Sequence, residues 1–196
     1  MKVMRKMEVL VNGGTGGFKV GDQIHVGKHY TATCQKVGKS GAIFMFDQYL
    51  DKDRAMNLKR TNKGGYEASD LRKFLKELVT DSIFDEIREV MVPFKKTGDL
   101  LRIPTAEEMF GLKKVGEYCE TLSNKKQWPL MKNRYNRIAF RGEGQDLEWG
   151  WLQNKFSKYS DTDFVITNFY GKIDNCVACD AIGVRVVLQL KEMRGL

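Results

Sequence analysis

The sequence predicts an α+β fold in which an antiparallel sheet carries two packed helices and leads into a long-looped C-terminal half. Three observations predict it. Gln23 to Val26, Tyr30 to Val37 and Ala42 to Asp47 are rich in β-branched and aromatic residues and are punctuated by Gly27 and by Gly38 to Gly41, as in a strand meander. Leu71, Phe74, Leu75, Leu78 and Val79 recur at the spacing of one helical face behind Ser69, a residue type that caps helices. Val184, Val186, Leu188 and Leu190 alternate with Arg185, Val187, Gln189 and Lys191, as in a strand buried on one side and partly on the other.

The elements follow in order. Residues 1–17 read as an N-terminal arm ending in a glycine-rich linker, Asn12 to Gly17, and residues 18–196 as a single α+β domain, which suits a chain of 196 residues. After the meander, the helix capped by Ser69 is followed by a second, from about Asp81 to Met91. Its apolar stripe is Ile83, Phe84, Ile87, Val90 and Met91, and Pro93 stops it. Thr105 to Glu108 spells a capping box after Pro104, so a short helix should open there, turn Met109 and Phe110 inward and end at Gly111. Beyond Gly111 the chain reads as loop until strands at Asp163 to Phe169 and Gly183 to Leu190.

Apolar residues make up 42% of the chain and charged residues 30%, an ordinary globular composition. Lys and Arg outnumber Asp and Glu by 33 to 25, a formal net charge of +8 that favours acidic or phosphate-bearing partners. The N-terminal apolar stretch is too short for a signal peptide, and no run is long enough to span a membrane, so the expected compartment is the cytosol. Cys34, Cys119, Cys176 and Cys179 are then expected to be reduced, as small core hydrophobes.

Motifs that would carry chemistry are incomplete. Gly38-Lys39-Ser40 resembles the end of a phosphate-binding loop, but position 33 is Thr where that loop needs glycine, and a strand follows where it needs a helix. Cys176 and Cys179 have half the spacing of a zinc knuckle, and His25 with His29 would complete four ligands only if the fold gathered them. Those two histidines are the only ones that could serve a Ser or Cys nucleophile as base. Glu107 with Glu108 and Asp161 with Asp163 read as helix-start and turn residues rather than an acid and base pair. The expectation is a binding protein with no catalytic residue, no metal and no cofactor.

A charge patch points to the partner. Between Glu120 and Glu143 there is no acidic residue, while Lys125, Lys126, Lys132, Arg134, Arg137 and Arg141 interleave with Trp128, Tyr135 and Phe140. Cations track a phosphate backbone and aromatic faces stack on unpaired bases, so this pattern suits an RNA-facing or single-strand surface. It equally suits a solvated loop with Trp128 and Phe140 turned into the core. Lys52, Arg54, Lys59, Arg60 and Lys63 form a smaller cluster, diluted by Asp51 and Asp53, that would extend the surface.

Several segments resemble known proteins: Phe46 to Asp51, Gly64 to Arg72, Leu101 to Gly111, Trp128 to Lys132, Glu148 to Leu152 and Gly183 to Leu190. Together they resemble a family of uncharacterised function carried by phages and prophages of gut bacteria. The last third, with Trp149-Gly-Trp151 and the closing Gly-Val-Arg strand, is similar to the C-type-lectin-like fold of formylglycine-generating enzymes and phage receptor-binding proteins. Enzymes of that superfamily use paired cysteines or a histidine cluster, which Cys176 and Cys179 match poorly. The chain as a whole also resembles metagenomic anti-CRISPR inhibitors of the type II effector nuclease. That resemblance implies a non-enzymatic protein of the host bacterial cytoplasm. Its partner would be the effector ribonucleoprotein, with guide RNA or DNA as the contacted nucleic acid, and neither a membrane nor a small-molecule substrate. The rival expectation is a ligand-binding module of a phage particle, with Trp149, Trp151 and the loop 167–180 as its pocket. A metal-dependent enzyme of the same fold is the third.

Overall fold

The computed structural model describes residues 17–113, 115, 126–142, 148–156 and 160–191, together with the backbone of residues 9 and 10. Its strands are β1 (Val9–Leu10), β2 (Gln23–Val26), β3 (Tyr30–Gly38), β4 (Gly41–Phe46), β5 (Arg54–Ala55), β6 (Leu101–Arg102), β7 (Gly150–Lys155), β8 (Asp163–Thr167), β9 (Ile173–Val177), β10 (Ala181–Ile182) and β11 (Val187–Leu190). The two short helices are α1 (Asp70–Leu78) and α2 (Ala106–Phe110). One antiparallel sheet has the order β1-β2-β3-β4-β11-β6, a second the order β7-β8-β9, and β5 pairs with β10 in a third. The architecture is α+β and mostly antiparallel.

The meander β2-β3-β4 forms where glycine punctuation predicts it, and β11 returns from the far end of the chain to pair with β4, Leu188 opposite Phe44 and Val187 opposite Met45. This return strand is covered on both faces. Val184, Val186, Leu188 and Leu190 join Ile24, Phe44, Leu71 and Phe84 in the larger core. Val187 joins Met45, Trp128, Met131 and Leu152 in a second core on the other face. Arg185 and Gln189 share that second face and are also buried.

Strand β3 contains a bulge. Its register against β4 shifts between Cys34 and Lys36, which leaves Gln35 without an opposite residue. Bulges re-aim side chains and often adjoin functional sites. Here Cys34 and Val37 stay with the larger core while Gln35 lines a cleft on the opposite face.

Local chemistry sets both helices. Ser69 Oγ accepts from the Arg72 N–H at 3.1 Å and starts α1, which buries Leu71 and Leu75. Arg72 and Lys76 meet the buried Asp99 at 2.7 and 3.4 Å. Burial alone would raise the Asp99 carboxyl, but the hydrogen bond and charge of Arg72 hold it below its ordinary value. Thr105 and Glu108 complete the capping box of α2, and Gly111 closes it with a left-handed φ of 73°.

Two expectations need correction. The segment expected as a helix from Asp81 to Met91 is a pair of 3-10 turns, Ser82–Phe84 and Arg88–Val90. Its end is drawn into the sheet edge, where the Val92 N–H donates to Gln189 O at 2.8 Å and the Lys191 N–H to Val90 O at 2.8 Å, a pairing that helical backbone could not make. Phe84 and Ile87 are buried as the apolar stripe requires. The second packed helix of the expected pair is therefore absent, and the second true helix is α2. The C-terminal half is also less looped than expected, since β7 and β9 flank β8.

Leu188, fully buried in the central return strand, contrasts with Leu58, 83% exposed. Leu188→Ala should lower the unfolding free energy by about 2–5 kcal/mol in urea denaturation, and Leu58→Ala should change it by less than about 0.5 kcal/mol.

Candidate nucleic-acid interface

The carboxylate-free segment folds as two 3-10 turns, Pro129–Lys132 and Arg134–Arg137. Pro129 presets the first, and Asn133 caps the second by accepting from the Tyr135 N–H at 3.1 Å. The turns dock on the second core through Met131 and Trp128. Trp128 is only 2% exposed, and its N–H donates to Glu108 O at 2.9 Å. It is a core residue and not a stacking platform, which corrects one site assignment. Tyr135, at 68% exposure, and Phe140, at 45%, do face water.

The cations divide by partner. Arg141 is held between Asp53 and Glu148, the latter at 2.6 Å, so its charge is neutralised within the fold. Burial pushes the Glu148 carboxyl up, and the Arg141 hydrogen bond opposes this. Lys126 pairs with Glu107 at 3.1 Å while remaining exposed. Arg137 serves as a clamp: Nε donates to Met131 O at 2.7 Å and Nη1 to Gly171 O at 3.3 Å, with the guanidinium 4.7 Å from the Phe110 ring centroid. Its burial, and then the charge of Arg134, lower its pKa. Lys132 and Arg134 are exposed and meet no carboxylate among the described residues. Arg134 lies over the Tyr135 ring at 5.1 Å. Lys125 lies outside the described residues.

The smaller cluster stands apart. Arg54 packs over Phe74 of α1 at 4.2 Å, and Lys59, Arg60 and Lys63 are exposed. Among the described residues no hydrogen bond or ion pair joins these four to the two 3-10 turns.

A second aromatic group adjoins the turns. Trp149 stacks on Phe169 with ring centroids 6.5 Å apart, and Phe169 contacts Tyr170 at 4.2 Å. The next residue, Gly171, has φ 69°, and a Cβ there would meet Arg134 O at 2.5 Å, so glycine permits the close approach. Trp151, the other tryptophan of the rival pocket, is buried and donates its Nε1–H to Arg54 O at 2.7 Å, so it lines no open pocket. The group thus joins Trp149 to the loop 167–180 of the rival expectation, without Trp151.

Between the turns and the outer face of β2-β3-β4 lies a cleft of about 660 Å³, with Tyr135 and Phe140 at its rim and Gln35, Asp47 and Arg185 among its polar lining. The thiols lie elsewhere: Cys34 and Cys176 are buried, and desolvation pushes both up to about 12. Cys176 sits 3.4 Å from Asp180 Oδ2, while Cys179 is exposed. Cys119 lies outside the described residues. Among those residues no group of three His, Cys, Asp or Glu is gathered to hold a metal ion, so His25 and His29 do not join the cysteines. No described helix is long and apolar enough to cross a membrane.

No protein family, curated sequence or solved structure compared with the chain matches it. The phage-family, lectin-like and anti-CRISPR resemblances rest on the sequence motifs alone.

The Asp53, Arg141 and Glu148 cluster is testable by pH. Arg141→Ala leaves two partly buried carboxylates facing one another, which should cost about 1–3 kcal/mol at pH 8. Because protonating Glu148 relieves that repulsion, the deficit against the parent protein should shrink as pH falls towards 5 in thermal unfolding. A deficit that stays constant or grows on acidification would remove the cluster from this role.

Proposed function

We propose that the chain is a non-enzymatic anti-CRISPR protein that binds the type II effector nuclease with its guide RNA, in the host bacterial cytoplasm, and inhibits target DNA binding or cleavage. The observation that carries the reading is the surface at Lys132, Arg134, Tyr135 and Phe140. There two cations without acidic partners among the described residues stand beside two exposed rings. Cations of this kind contact phosphate, and open rings stack on unpaired bases. The effector complex offers both, in its guide RNA and in the strand displaced from target DNA. The identity of the partner comes from the motif resemblance, and the chemistry of the contact from the geometry.

On the same reading the C-terminal part is C-type-lectin-like. Two motifs behind that resemblance meet in space: the Trp151 N–H donates to Gly183 O at 3.1 Å and the Gly183 N–H to Trp149 O at 3.0 Å. The open group of Trp149, Phe169 and Tyr170 favours a second reading, a ligand-binding module of a phage particle.

A cleavage assay with purified nuclease and guide separates the two. Excess protein should slow cutting, and an unchanged rate would overturn the anti-CRISPR reading and leave the second. Within the first, the double variant Lys132→Glu with Arg134→Glu should inhibit more weakly. The slope of log affinity against log salt should become shallower by about 0.7–0.9 for each phosphate that is no longer neutralised. Arg137 is left intact because its clamp role would confound the result. Unchanged affinity in the double variant would place the interface elsewhere on the protein.

A further inference from the structure

We propose that the cleft beside the two 3-10 turns receives a single unpaired nucleobase, guanine by the chemistry of its floor. The inference rests on the reading of Lys132 and Arg134 as phosphate contacts and adds to it a site that reads sequence.

The floor pairs an unneutralised cation with a carboxylate. Arg185 is 6% exposed, and it donates Nε to Phe46 O at 2.6 Å and Nη1 to Asn136 O and Arg137 O at 3.0 and 3.4 Å. Among the described residues its Nη2 meets no acceptor, and no carboxylate lies within ion-pair distance. Asp47, one residue beyond the carbonyl that Arg185 holds, accepts from Thr33 Oγ1 at 2.7 Å and Gln23 Nε2 at 3.2 Å, one bond per carboxylate oxygen. Each oxygen retains acceptor capacity. The third group is Gln35, set on this face by the bulge in β3. It is 1% exposed, its Nε2 donates to Thr33 O at 3.1 Å, and its Oε1 has no hydrogen-bond partner among the described residues.

This donor and acceptor set discriminates among ligands. A phosphate entering the cleft would meet the Asp47 carboxylate, and a lysine or arginine side chain would meet Arg185. A neutral planar ring with an acceptor beside N–H donors satisfies both. Guanine presents O6 for a guanidinium, with N1–H and N2–H side by side for a carboxylate. Adenine, cytosine and uracil each bring a single donor group to that edge. Tyr135 and Phe140 supply the apolar faces at the rim, and the Arg134 guanidinium 5.1 Å from the Tyr135 ring is placed for a flanking phosphate.

Fluorescence anisotropy tests this with a labelled oligonucleotide of about ten thymidines and versions carrying one central dG, dA or dC. The dG version should bind about 10–100-fold more tightly than the all-thymidine strand, and dA and dC should gain far less. Asp47→Asn should abolish the gain from dG, read as the ratio of dG to all-thymidine affinity within that variant, because phosphate contacts carry the affinity common to both strands. Phe140→Ala, at a half-exposed rim position, is the second variant and should also reduce the gain. If the all-thymidine strand binds but dG gains no more than dA or dC, or the gain survives in both variants, the cleft inference is overturned and the phosphate surface stands. If no oligonucleotide binds, the phosphate reading fails and the cleft inference fails with it.

Discussion

Arg185 is the constraint on which the cationic surface depends. A guanidinium taken out of water is costly unless its donors are met, and here the acceptors are backbone carbonyls from two distant segments. One is Phe46 at the end of β4; the others are Asn136 and Arg137 in the second 3-10 turn. The residue therefore ties the return strand, the meander and the turns into one unit. Burial holds its pKa below the ordinary arginine value, and the charges of Tyr49 and Asp47 oppose this. A neutral residue at this position would leave the turn carbonyls without donors, and the exposed cations would lose their fixed place beside the sheet.

The same logic explains why counting charges along the chain overstates the surface. A stretch without carboxylates in sequence is not a volume without carboxylates, since folding delivers Glu107, Asp53 and Glu148 to Lys126 and Arg141. Arg137 is spent differently, on carbonyls and a ring face, which suits the forked and weakly hydrated guanidinium. Among the described residues of the patch, what remains for a partner is the outer side of the turns, Lys132 and Arg134 with Tyr135. That concentration matters more than the net charge, because exposed charges separated by more than about 8 Å are largely screened at physiological salt.

How much could be read from sequence followed the range of the interactions involved. The meander was legible because alternation and glycine punctuation are local, as was the capping box from Thr105 to Glu108, whose partners lie three residues apart. The segment from Asp81 to Met91 has a true helical stripe, yet pairing of Met91 and Val92 with a strand nearly one hundred residues away decided its backbone. Strand β7 was hidden because its side chains enter both cores and so show no alternation. Of the three rings in the patch, composition could not tell that Trp128 turns inward while Tyr135 and Phe140 stay out. The bulge at Gln35 and the burial of Arg185 had no sequence signature.

Charge sign also limits how such a protein would oppose a nuclease. An inhibitor that imitates DNA must be acidic to occupy a cationic channel, whereas this chain carries +8. Attraction to the channel itself is therefore unfavourable, and attraction to the nucleic acid it holds is favourable. A duplex would satisfy Lys132 and Arg134 but leave Tyr135 and Phe140 without a face to stack on, since paired bases are covered by their neighbours. The rings gain only where a base is unstacked, as in an exposed guide segment or a displaced strand. The combination of open ring and cations that meet no carboxylate among the described residues thus favours a single-stranded contact over a duplex one.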